Sequence, residues 1–490
     1  MSGYLNFIYE VLKQFFVSLF NSIKEFFVNI FNAFNIYYYI KIFYYYKYDF
    51  NGFEFFLAII SILVLIMIFL VIVYFIYLLV KKIIRITKNS MHTENLIMEI
   101  GILNKDIIKL SKERDKLLQG ATLALGDDSS DNRFYKLIQI DNKYKNYNKE
   151  EEKYCTYLNL KSLCDAFRNY AAGSLGLFYD IRTIRLFISG FGISKLLLLQ
   201  GISGTGKTSL PYAFGKFLEN DSYIVAVQPS WKDKNEIIGY FNEFTKKFNE
   251  TEILKVLYEA TYTDNIYIIV LDEMNIARVE YYFAEMLSLI EMREEDRYIE
   301  VTSDVWESDP VHLKAGKLLV PNNIWFVGTA NNDESTFSIS DKVYDRSMVL
   351  NINTKGAVFT PNPSQSAKLS YSYFNSLLLD ALNKYKMTNE LKDKIKKIDN
   401  MMIDKFSSSF GNRILNQLEG FISMYIECGG SELDAIDYFL SSKILPKLES
   451  ANLSFYKQEL DELEKLIVNS FTKDAMVDCI KYIRTLKLRY

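Results

Sequence analysis

Residues 196–210 read LLLLQGISGTGKTSL, and this stretch decides the fold. The apolar run Leu196 to Leu199 predicts a buried strand. It feeds Gly201-Ile-Ser-Gly204-Thr205-Gly206-Lys207-Thr208, and a helix is expected from Ser209 onward. That order of strand, glycine-rich loop and helix is a phosphate cradle. Gly201, Gly204 and Gly206 let backbone N–H groups curl around phosphate oxygens, with Thr205 and Ser209 completing the loop. Lys207 is placed to reach the β and γ oxygens, and the Thr208 hydroxyl to ligate Mg²⁺. The following helix adds its positive N-terminal end.

A second apolar strand, Ile266 to Leu271, ends in Asp272-Glu273 about 60 residues later. The expected roles are Asp272 beside the Mg²⁺ and Glu273 orienting or deprotonating an attacking water. Phosphoryl transfer asks mainly for positioning and charge neutralisation, which such a pair supplies. A third strand, Asn323 to Gly328, leads to Thr329-Ala330-Asn331, putting Asn331 at a strand tip where it can sense the γ-phosphate. Arg346 closes a short helical stretch and is a candidate arginine finger toward a neighbouring subunit. Its alternative is a surface ion pair. The chain turns helical over 356–490, and Arg413, in FGNR at 410–413, could fold back onto the phosphates or be a solvated arginine at a helix start.

In order along the chain stand GISGTGKTSL (201–210), VQPSWKDKNEIIGYFN (227–242), VLDEMNIARVEYYFAEML (270–287), PNN (321–323), FVGTANNDEST (326–336), SDKVYDRSMVL (340–350) and FGNRILNQLEGFI (410–422). Together they resemble the AAA+ ATPases of the dynein-related, McrB-like group, which includes the nucleotide-hydrolysing subunit of a restriction enzyme for methylated DNA. The resemblance covers about half of the chain. It implies an α/β fold: an AAA+ P-loop core with a parallel sheet flanked by helices over 161–355, then a helical lid over 356–490. It also implies homo-oligomeric ring assembly, hexameric by analogy, with Arg278 a second interface candidate. The restriction subunit has Asn-Thr-Ala-Asp after its third strand, a feature associated with GTP. This chain has Asn331-Asn332-Asp333-Glu334, so ATP is the expected nucleotide and GTP the alternative.

The N-terminal third has another character. Phe55 to Val80 is an uncharged apolar run long enough for a ~30 Å hydrocarbon core, with a buried core helix as the alternative. Lys81, Lys82, Arg85 and Lys88 follow it, whereas Asp49 and Glu54 precede it. The positive-inside rule then predicts a single-pass protein of the bacterial cytoplasmic membrane with its nucleotide domain in the cytoplasm. Ile8, Leu12, Phe16, Leu19, Ile23, Phe27, Ile30 and Phe34 form a helical stripe. Residues 1–50 therefore read as an amphipathic membrane-surface region, or as a second, poorer transmembrane segment. Leu96, Ile100, Leu103, Ile107, Leu110 and Leu117 fall at alternating four and three spacing, broken only at Arg114. Residues 89–160 read as a coiled-coil stalk and linker, or as an amphipathic helix packed on the nucleotide domain.

The chain of 490 residues carries a net charge of −3, which gives no overall basic field for nucleic acid. Its four cysteines contain no CxxC pair and, with two histidines, make no convincing zinc site. The function expected is a membrane-anchored ATPase that remodels or activates an unidentified partner protein, in a bacterial defence or stress system. Two alternatives stand beside it: a nucleotide-gated membrane scaffold with slow turnover, and a nucleotide-driven DNA motor of a restriction complex.

Overall fold

The computed structural model describes residues 132–331, 336–450 and 456–489. Before these it describes 36–49, 51–53, 55–57, 59, 60 and single positions at 13, 14, 18, 21, 24, 25, 63, 67, 71, 74, 78 and 81. The chain divides into two units, Met1–Asp128 and Ser129–Tyr490.

In the first unit a helix runs over Ile36–Tyr46. The rings of Phe43 and Phe55 lie 5.6 Å apart, and the Lys47 ammonium sits 4.4 Å from the Tyr44 ring. Among the described residues, no helix is long and apolar enough to cross a membrane. The expected single-pass membrane localisation, and the membrane helices in the expected fold, are corrected on this point. The physical reason lies in length and charge together. Ile36–Tyr46 has 11 residues, about 16 Å at 1.5 Å per residue, roughly half a bilayer core. Asn389–Phe406 has 18 residues but reads NELKDKIKKIDNMMIDKF, far too charged for lipid. Most of the 55–80 run, most of the 4–34 stripe and the 89–131 part of the expected stalk lie outside the described residues.

The second unit is built on five parallel strands: β1 (Leu196–Gln200), β2 (Tyr223–Ala226), β3 (Tyr267–Asp272), β4 (Ile324–Ala330) and β5 (Met348–Asn351). Their order across the sheet is β5-β1-β4-β3-β2. Such strands are covered on both faces, so they read as continuous apolar runs. Alternate side chains feed two separate cores. Leu197, Leu199, Ile268, Val270, Trp325 and Val327 face one layer, which holds the helices Leu160–Leu175, Ile181–Phe191 and Ser209–Phe217. Leu196, Leu198, Tyr267, Ile269, Leu271, Ile324 and Phe326 face the other, with the helices Tyr135–Tyr144 and Glu252–Glu259. Residues 132–160, assigned from sequence to the stalk, thus contribute Phe134, Leu137 and Ile140 to a core of this unit. Arg133 is buried beside them and ion-paired with Asp309 at 2.7 Å.

Insertion of β4 between β1 and β3 is what assembles the site. Leu199 of β1 stands opposite Thr329, and Leu271 of β3 stands opposite Gly328. The carboxyl ends of β1, β3 and β4 therefore lie side by side. A two-stranded hairpin (Gly239–Asn242 with Lys247–Glu250) and a small three-stranded sheet interrupt the connections around β3. Beyond β5 the chain is helical, from Tyr371–Lys384 through Val477–Arg489. Apolar residues of these helices, such as Phe374, Leu418, Phe421 and Ile436, join the first core.

Candidate nucleotide site

The loop after β1 has the conformation its glycines permit. Gly201, Gly204 and Gly206 adopt φ values of 144°, 77° and 94°, where a side chain is strained. The Lys207 ammonium is buried and donates to the carbonyls of Gly201 and Ile202 at 2.9 and 2.8 Å. The single Thr205 hydroxyl proton is shared between Ile202 O at 2.9 Å and Ile352 O at 2.7 Å, tying the loop to the segment after β5. Tyr179 donates its phenol proton to Gly206 O at 3.2 Å, and burial pushes its pKa up, so it stays a neutral donor.

Beneath the loop runs a chain of hydrogen bonds. Thr208 Oγ1 donates to Asp272 Oδ1 at 2.7 Å, and Thr329 Oγ1 donates to the same oxygen at 2.8 Å. Thr329 Oγ1 in turn accepts the Glu273 backbone N–H at 2.9 Å. Glu273 itself lies in the left-handed region, at φ 53° and ψ 46°. A non-glycine residue held there is a strain that surrounding contacts must maintain, and such strain gathers at functional sites. On the other side, Asn275 Nδ2 donates to Asn331 O at 2.8 Å and to Phe337 O at 3.3 Å. Asn331 Oδ1 is buried with no partner among the described residues.

These groups line one cleft of about 540 Å³, walled by Gly176 to Tyr179, Ser203 to Ser209, Asp272, Glu273, Thr329, Asn331, Lys355, Gly356 and Val358. The structure thus brings Gly204, Thr205, Gly206, Lys207, Thr208, Ser209, Asp272, Glu273 and Asn331 together, with Gly201 at the base of the loop. A magnesium ion is bound by hard oxygens, often one or two from the protein with the rest from water and phosphate. Thr208 and Asp272, hydrogen-bonded to each other at the cleft floor, have that donor chemistry. The unpartnered Asn331 oxygen fits an adjacent polar ligand.

Three expected site residues lie elsewhere. Arg346 precedes β5, at the amino end of the sheet, whereas the cleft is at the carboxyl end. Arg346 Nε donates to Glu291 Oε2 at 2.8 Å, and Arg413 Nη1 pairs with Glu291 Oε1 at 2.7 Å. Arg278 is exposed, its guanidinium 5.2 Å from the Phe337 ring and 5.7 Å from that of Tyr281. Asn332, Asp333 and Glu334 lie outside the described residues.

Four further residues belong to the site: Thr329, Asn275, Tyr179 and Lys355. Thr329 was legible as the polar residue two positions before Asn331, and Asn275 as the amide inside DEMN. Tyr179 and Lys355 carry no local signal, because only the folded chain brings them to the loop.

The helical C-terminal part also grips the Arg346 segment. Lys443 sits in a π-helical turn, Leu440–Ile444. It donates to Ser347 O at 2.7 Å, to Asp345 O at 3.4 Å and to Gln417 Oε1. Gln417 Nε2 donates to Asp345 O at 3.3 Å.

Residues 366–488 match a family model described as a domain of unknown function, DUF8727. That stretch is the helical region after β5. No curated protein matches the chain. Among solved structures, a candidate ATPase from Cytophaga hutchinsonii is similar over 66% of this chain and 96% of its own, at 13% identity and a TM-score of 0.40. The five-stranded parallel sheet with its flanking helices and the conformation of the glycine-rich loop are consistent with a P-loop ATPase.

Proposed function

We propose that this chain is a magnesium-dependent nucleoside triphosphatase of the AAA+ type, resembling the McrB-like group, with ATP as its substrate. The observation that carries the reading is the Thr208–Asp272–Thr329–Glu273 hydrogen-bond chain under the glycine-rich loop. It joins the metal-ligand pair to the backbone of the residue placed to activate water.

Each group then has a defined task. Loop amides and Lys207 hold the phosphates. Thr208 and Asp272 would hold Mg²⁺, which supplies charge neutralisation on the phosphate oxygens. Glu273 accepts a proton from the attacking water, or aligns it. The Asn331 amide oxygen accepts a second hydrogen bond from that water. Thr329 ties the Asp272 carboxylate to the Glu273 backbone.

A ring of such subunits fits the position of Arg346 and Arg278 outside their own cleft, with Arg346 exchanging Glu291 for a neighbour's triphosphate. Hydrolysis in that ring would drive work on a partner protein. The nucleotide reading is tested with Glu273→Gln. The variant is expected to bind ATP and lose turnover. Hydrolysis at the wild-type rate would remove Glu273 from the mechanism.

A further inference from the structure

The cleft has two cationic residues in its lining, Lys207 and Lys355. We propose that Lys355 is a second phosphate-contacting lysine, supplying in this chain the charge that the sequence led us to expect from Arg413. The inference rests on the nucleotide reading above and adds a phosphate-binding residue to it.

Three observations converge. First, Lys355 is exposed and makes no hydrogen bond or ion pair with the other described residues. Arg413, by contrast, is engaged by Glu291. Second, the backbone on both sides of Lys355 is fixed. Ile352 donates its N–H to Gln200 O at 2.8 Å and accepts from Thr205 Oγ1 at 2.7 Å. Gly356 packs so tightly that a Cβ there would lie 2.4 Å from Phe178 O and 2.7 Å from Tyr179 Cα. A side chain would push the strip off the cleft wall. Lys355 is thus carried on a strip pinned at one end to the glycine-rich loop and at the other to the wall at Phe178 and Tyr179.

Third, the charges in the lining agree with it. Asp272 and Glu273 outweigh Lys207 alone, and a magnesium–triphosphate complex remains an anion. With Lys355 the acidic and basic side chains balance among the described residues of the lining. Charge complementarity of this kind raises affinity and makes it salt-dependent.

The test uses the full-length chain with Mg²⁺ and a fluorescent ATP analogue, comparing wild type, Lys355→Met, Lys355→Arg and Lys207→Ala. Lys355→Met is expected to weaken binding about tenfold, the scale of one charge-assisted contact. Its affinity should also depend less steeply on salt, and Lys355→Arg should restore both. Melting temperature should not move, because the side chain is exposed. If Lys355→Met binds as wild type does while Lys207→Ala has lost binding, the role of Lys355 is overturned and the nucleotide reading stands. Equal weakening in the Met and Arg variants also overturns it, since charge is then not the cause. Absence of binding by the wild type overturns the nucleotide reading itself.

Discussion

Glu291 holds the Arg346 guanidinium at 2.8 Å, at the end of the sheet opposite the cleft. An arginine so placed cannot reach the cleft of its own chain. If it acts on phosphate, it does so in a neighbour. Arg346→Ala is then expected to bind ATP normally and to lose turnover by about a thousandfold, the lower end for arginine fingers. Mixing it with Lys207→Ala should regain activity, because some interfaces then combine an intact cleft with an intact arginine. A mixture as inactive as its two components would refute action in trans.

Thr329 is the bridge between Asp272 and the Glu273 backbone. Thr329→Val keeps the shape of the side chain and removes both hydrogen bonds. We expect kcat to fall on the order of tenfold or more with little change in KM, and Thr329→Ser to recover most of it. A Val variant with wild-type kcat would show that the chain of hydrogen bonds is dispensable.

Lys443 makes stability depend on pH. Burial, with Lys447 and Arg413 nearby, pushes its pKa down from 10.5 to about 7, and Asp345 opposes the shift. Between those values the unfolded chain holds a proton that the folded chain lacks. The resulting cost is greatest at and below pH 7 and fades toward pH 10.5. In urea titrations, wild type should therefore gain stability over Lys443→Met as pH rises from 7 to 10, by on the order of a few kcal/mol. A difference that stays constant with pH would mean that the lysine is not desolvated.

Arg133 is buried against Asp309 and stacks near Phe134, Phe241 and Trp306. Removing one partner of a buried pair strands the other charge. Arg133→Ala should cost about 3–5 kcal/mol in denaturant unfolding. A loss below about 1 kcal/mol would mean that water reaches Asp309.

Much of the cleft was legible because each of its parts is a local pattern. Leu196 to Leu199 announces a strand buried on both faces, GTGKT a turn that only glycines tolerate, and Asp272-Glu273 a strand end. The roles that need distance were not legible. Arg413 sits in a plausible motif, but which carboxylate it meets depends on how the C-terminal helices pack, and they deliver it to Glu291. Lys355 has no motif at all. Its position follows from Gly356 closing on Phe178.

The hold that Lys443 and Gln417 keep on the carbonyls of Asp345 and Ser347 has a mechanical corollary. Those two carbonyls flank Arg346, and their donors belong to the terminal helices. Any rotation of that helical body must either drag the arginine along or break the bonds and leave a buried ammonium without acceptors. The arginine is thereby geared to the C-terminal helical body, and a force applied to those helices would reach the edge strand β5 through Asp345 and Ser347.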